Sequence, residues 1–128
     1  ALGYFGMAYY LANQDRLRSV SVVPAAGGAA VAPTMDNVIA GTYQPLARPL
    51  FFYVSERALQ RPEVRQFSEF FLNNGARLSR EVGFVPLPAE AYTIAAGHLR
   101  DNRFGTRFAA GTPTIGVRIQ EVMQREPR

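Results

Sequence analysis

A chain of 128 residues, 48% hydrophobic and 19% charged, has the size of one domain and enough apolar side chain for a core, which argues against general disorder. It holds no apolar run of 18 residues, so no stretch reads as a membrane-spanning helix. With no cysteine, disulfides, thiol nucleophiles and zinc–thiolate sites are excluded. All 14 basic residues are arginine, for a net charge of +4. They are spread along the chain and interrupted by acids, whereas a nucleic-acid binder gathers its charge into a patch. The reading is a solvated, arginine-rich surface with no nucleic-acid partner. No basic-then-apolar leader opens the chain. The first residue is Ala1, followed directly by apolar residues, and the expectation is a piece of a longer protein.

Ala1–Gly6, apolar with two glycines, reads as a short strand. Met7–Leu17 has Met7, Tyr10, Leu11 and Leu17 at roughly helical spacing, with Arg16 and Arg18 where positive charge suits a helix C-terminus. Ser19–Val23 alternates and is β-branched, which predicts a half-buried strand. These three make a compact β-α-β unit. Pro24–Pro33 is a glycine-bearing loop. It matches neither phosphate-cradling glycine pattern and no Lys-Ser/Thr follows, so it reads as a flexible surface loop. Thr34 is placed to cap a short helix that carries Val38 and Ile39 and ends at Gly41.

The stretch Tyr43–Ser55 begins turn-prone, with Pro45 and Pro49, and becomes the unbroken run Leu50-Phe51-Phe52-Tyr53-Val54. A short, aromatic, non-alternating run predicts a strand buried on both faces. Pro49 fits only at its start. Pro62 then sits where an N1 proline belongs. Val64, Phe67, Phe70, Phe71 and Leu78 form a broad apolar stripe, read as core. Asn74-Gly75 offers a stop, with a further helical turn or two over Ala76–Val82. After the rigid loop Gly83–Pro88, a helix is expected over about Ala89–Arg100, with Tyr92, Ile94, Ala95 and Leu99 buried. Asp101–Pro113 is a loop, Val117–Arg125 a short helix, and the last three residues fray. Helical patterns on both sides of the central strand give an α/β chain with strands covered by helices.

Nothing in this inventory assembles chemistry. There is one histidine, His98, at a helix end with no paired carboxylate, which reads as a surface residue. There is no paired-carboxylate constellation, no metal-ligand cluster and no G-x-S-x-G. The expectation is a non-enzyme with no catalytic residue, metal or cofactor.

Four segments in order carry a resemblance: Ala-Leu-Gly-Tyr-Phe-Gly-Met-Ala-Tyr-Tyr (1–10), Val-Ala-Pro-Thr (31–34), Tyr-Gln-Pro-Leu-Ala-Arg-Pro-Leu-Phe-Phe-Tyr-Val (43–54) and Glu-Val-Gly-Phe-Val-Pro-Leu-Pro (81–88). Phe-Gly-Thr-Arg-Phe (104–108) and the run 116–126 add to it. Together they resemble the C-terminal part of the phosphate-binding proteins of ABC-type phosphate uptake systems. The resemblance implies a partial periplasmic-binding-protein fold, with residues 1–42 ending the second lobe. Residues 43–54 would form the hinge crossing and buried strand, 55–103 the helices returning to the first lobe, and 104–128 a C-terminal loop and short helix. It further implies a periplasmic or extracytoplasmic receptor, with inorganic phosphate and a membrane permease as partners. Such proteins hold phosphate with helix N-terminal amides, loop hydroxyls, an Asp and an Arg, in motifs upstream of the segment matching Ala1. No Ser-Gly-Thr occurs here, and the pairs Gly41-Thr42, Gly105-Thr106 and Gly111-Thr112 stand elsewhere. No ligand residue carries over; Arg48, beside the crossing, is the one weak cleft candidate. The alternative is a self-associating interaction module with no ligand site of its own.

Overall fold

The computed structural model describes residues 1–24, 27–108 and 117–125. Its regular elements are helices: α1 Met7–Leu11, α2 Met35–Ile39, α3 Pro62–Glu81, α4 Ala89–Arg100 and α5 Ile119–Met123, with a 3-10 turn at Ala58–Gln60. Among the described residues the one β interaction is an isolated antiparallel bridge between Val22 and Val31.

Helix ends follow the local chemistry of the sequence. The Thr34 hydroxyl accepts from the Asn37 amide and caps α2. At its other end Gly41 takes φ +72°, and the amides of Gly41 and Thr42 donate to the carbonyls of Val38 and Asn37. This paired closure needs a left-handed residue after the helix. The same closure ends α3 at Gly83, with Phe84 donating to Ser79 at 2.8 Å. It ends α4 at Asn102, which takes φ +49° while Arg103 donates to His98 at 2.9 Å. Pro62 opens α3 at its first turn, as its fixed φ and missing N–H allow.

Several expectations are corrected. Asn74-Gly75 does not stop α3, which runs unbroken for 20 residues; the stop is Gly83. Helix α1 covers only Met7–Leu11. Beyond it the Asn13 and Gln14 side chains donate to the carbonyls of Tyr9 and Leu11, and the chain continues in turns. Among the described residues Ala1–Gly6 and Leu50–Val54 form no ladder, and Ser19–Val23 contributes only the Val22 bridge. The loop after it is not free at both ends, since Val22 and Val31 exchange both backbone bonds, at 2.9 and 2.8 Å. A strand needs a neighbour to hold its N–H and C=O groups, and the described residues supply none beyond that bridge. No β-α-β unit forms among them.

The largest correction concerns α3. Phe67, Phe70 and Phe71 were expected in the core, yet all three are exposed, Phe67 by 60%. The fully buried positions of this helix are Ser68 and Gly75, on a face rotated by about 100° from the phenylalanines at 100° per residue. Against that small-residue face lies α4, which buries Ala91 completely. A methyl on Gly75 would stand 2.5 Å from Cε1 of Tyr92, so the ring packs closely against the α3 backbone at this glycine. The Tyr92 hydroxyl in turn accepts from the Leu87 amide at 3.3 Å. Arg65 ties the helices together from the other end, donating to the Leu99 carbonyl at 3.3 Å and to Asn102 Oδ1 at 2.7 Å. Helix α4 spans the expected residues, but Tyr92, Ile94, Ala95 and Leu99 are only half-buried. Helix α5 seats Val122, 2% exposed, in the same assembly.

Candidate functional site

Charge on the described surface is paired locally. Arg61 meets Glu63, Arg77 meets Glu81, Arg100 meets Asp101 and Arg118 meets Glu121, all with exposed side chains. Pairs this exposed to water contribute little to stability, because solvent screens them. Their effect here is to divide the basic charge rather than to concentrate it.

The long helices do not present open anion seats. Helix α3 begins with a proline, which has no N–H, and carries Glu63 in its first turn. The Glu63 carboxyl is held below its usual range, by backbone hydrogen bonding first and then by Arg61. Helix α4 carries Glu90 in its first turn. A resident carboxylate occupies the positive end of each dipole and repels a second anion.

The structure does not bring the candidate residues together. Arg48 is exposed on the extended segment, and no acid among the described residues pairs with it. The Thr42 hydroxyl donates to the Asn37 carbonyl at 3.1 Å, at the C-terminus of α2, where the dipole is negative and disfavours anions. The Thr106 hydroxyl accepts from the Phe108 amide at 3.1 Å in a local turn. Gly111-Thr112 lies outside the described residues.

One concavity was not anticipated. A groove of about 570 Å³ runs between α3 and α4, lined by Glu69 and Asn73 on one side and by Thr93, Gly97 and Arg100 on the other. The signal for it was present as i, i+4 and i, i+7 spacing of polar residues on the outer faces of the two helices. It holds opposite charges and no nucleophile–base pair. Among the described residues no group of three or more His, Asp or Glu side chains is placed to hold a metal.

His98, near the end of α4, is half-buried. Burial pushes its pKa down first, and the charges of Arg107 and Arg103 add to that against an opposing contribution from Asp101. The folded chain thus binds a proton at His98 less readily than the unfolded chain does. Stability is expected to fall as the pH drops below the ordinary histidine range near 6.5 and through the lowered folded value. In urea melts at pH 7.5 and 5.5, His98→Gln should flatten that pH dependence relative to the parent chain.

Comparison with known proteins supplies what the geometry does not. The chain is 49% identical over 125 residues to protein SphX of Synechococcus elongatus, an alignment covering 98% of this chain and 36% of that protein. It is 35% identical over 127 residues to protein SphX of Synechocystis sp., covering 98% and 37%. The phosphate-binding protein PstS of Staphylococcus aureus is 36% identical over 92 residues, covering 71% of this chain and 28% of PstS. The chain is a relative of SphX and PstS. It spans little more than a third of the length of the two SphX proteins and 28% of PstS. No family model matches the chain, and no solved structure matches it. The resemblance seen in the sequence to phosphate-binding proteins is thus supported, since PstS is named as one. No described helix is long and apolar enough to cross a membrane.

Proposed function

We propose that the chain is the C-terminal part of an extracytoplasmic receptor that captures inorganic phosphate for an ABC-type uptake system. The observation that carries this is the 36% identity to the phosphate-binding protein PstS, together with the alignment of 98% of this chain to 36% of SphX. The receptor folds as two α/β lobes that close on the anion about a hinge, with ligand favouring the closed state. Residues 1–42 belong to the second lobe, 43–54 to the crossing and 55–103 to the first lobe. The phosphate-holding groups lie in sequence that precedes this chain in the receptor. That assignment is in keeping with carboxylates in the first turns of α3 and α4 and with Arg48 having no acidic partner among the described residues. The permease is the membrane partner.

The test is transport. The chain is set into Synechococcus SphX in place of the 125 residues it matches, and the chimera is produced in a bacterium deleted for its own phosphate receptor. Restored uptake of labelled phosphate at low concentration, unaffected by excess sulfate, is the expected result. A folded, exported chimera that restores no uptake would count against the receptor role.

A further inference from the structure

A contact between two small residues joins the start of the chain to the end of α3. Gly83 closes α3 at φ +77°. A methyl built on it would stand 3.1 Å from Cβ and 3.4 Å from Cα of Ala8. Helix α1 therefore rests on the last turn of α3 with almost no side chain between the two backbones. Among the described residues the packed helix pairs are α3 with α4, α4 with α5, and α3 with the 3-10 turn. Helix α1 thus reaches the α3–α4 pair at this corner rather than along a helix face.

The two sides of the contact are held differently. At the corner the Phe84 amide donates to the Ser79 carbonyl at 2.8 Å, Pro86 is buried, and the Tyr92 hydroxyl accepts from the Leu87 amide. These bonds fix the corner to the α3–α4 pair. Helix α1 has five residues, none of them buried. Burial first, and then the nearby Tyr4, raise the Tyr43 phenol above its ordinary value, so Tyr4 faces Tyr43. Residues 4–8 therefore lie between the start of the 43–54 segment and the end of α3. Interlocked side chains must repack before two segments can turn against each other. A glycine against an alanine has nothing to interlock, which suits a point of rotation.

We propose that the Ala8–Gly83 contact is the pivot on which the two lobes of the receptor turn as they close on phosphate. This rests on the proposed placing of residues 1–42 and 55–103 in different lobes. The missing side chain at Gly83 sets how near the lobes stand at the pivot, and so how the groups that hold the anion meet across the cleft. Ala8 and Gly83 are positioning residues and touch no ligand.

The test compares two glycines in the SphX chimera. Gly41 and Gly83 share a left-handed backbone, at φ +72° and +77°, so alanine at either carries a similar conformational cost. A methyl at Gly41 meets nothing within 4 Å, whereas one at Gly83 meets Ala8. Calorimetric titration should show phosphate affinity lowered at least about 10-fold in Gly83→Ala and in Ala8→Leu, with Gly41→Ala within about 2-fold of the parent. Ala8→Leu carries the test if Gly83→Ala does not fold. Equal losses in Gly83→Ala and Gly41→Ala would reduce the effect to backbone strain and overturn the proposal. Parent-like or tighter binding in a folded Ala8→Leu chimera would overturn it too. A distance measurement keeps the pivot apart from the ligand. Spin labels go on Arg18→Cys and Gln66→Cys, at exposed positions of the two proposed lobes. Without phosphate, Ala8→Leu should shift the distance between the labels and Gly41→Ala should not. A chimera that binds no phosphate yet shows this shift keeps the pivot and loses the proposed ligand. An unshifted distance in Ala8→Leu removes the pivot, whether or not phosphate binds.

Discussion

Replacing Gly75 by alanine is expected to destabilise the chain by about 1–3 kcal/mol, although alanine is ordinarily the better helix residue. In an open helix the exchange gains up to about 1 kcal/mol, because glycine loses more backbone freedom on folding. At Gly75 the new methyl would stand 2.5 Å from Cε1 and 3.2 Å from Cδ1 of Tyr92. The ring cannot simply swing clear, since its hydroxyl holds the Leu87 amide at the entry to α4. Overpacking of this kind outweighs the propensity gain. Gly97→Ala provides the contrast. It too lies inside a helix, but its added methyl meets only Arg100 Nη2, at 3.9 Å, and should stabilise by about 0.5–1 kcal/mol. Urea midpoints for the two variants should move in opposite directions from the parent. A shared upward shift would mean that α3 and α4 are not in close contact at Gly75.

Val122→Asp is expected to release α5 without melting the α3–α4 pair. Val122 is the buried residue of this five-residue helix, too short to persist without docking. Placing a carboxylate in that apolar seat costs about 3 kcal/mol or more. The undocked population should rise by roughly 100-fold, since each 1.36 kcal/mol is a factor of ten. Trypsin reads this directly, because Arg118 and Arg125 flank the helix. Cleavage after Arg118 should accelerate, while helical circular dichroism falls only slightly. A loss of helical signal as large as global unfolding would instead show that α5 is integral to the α3–α4 core.

Helix termini were the most legible part of the sequence. Thr34, Gly41 and Pro62 mark their positions by local chemistry alone: a hydroxyl acceptor, a left-handed residue and a missing donor. Such signals need no distant partner. Gly75 misled because the same residue type serves two ends, a helix stop or a close helix approach. Only the position of Tyr92, seventeen residues on, tells them apart. The phenylalanine stripe misled for a related reason. Periodicity identifies an apolar face but not which element covers it. Here α4 took the small-residue face through Ser68 and Gly75 and left the aromatic one open. Leu50–Val54 carries every local mark of a buried strand, yet a strand is completed by its neighbours. The candidate site was the least legible. Arg48 was chosen for its place beside the crossing, and position in a chain does not bring ligands together. The α3–α4 groove was readable only as polar spacing, which exposed helix faces show everywhere.

The central claim is that phosphate is the ligand and that its binding groups lie outside these 128 residues. Calorimetric titration of phosphate into the 128-residue chain and into the SphX chimera tests both halves together. The account predicts no saturable heat from the chain and one saturable site in the chimera, with the chain's Arg48→Ala variant of the chimera binding as the parent does. Saturable binding by the chain alone, or a folded chimera that gives no heat with phosphate, would contradict it.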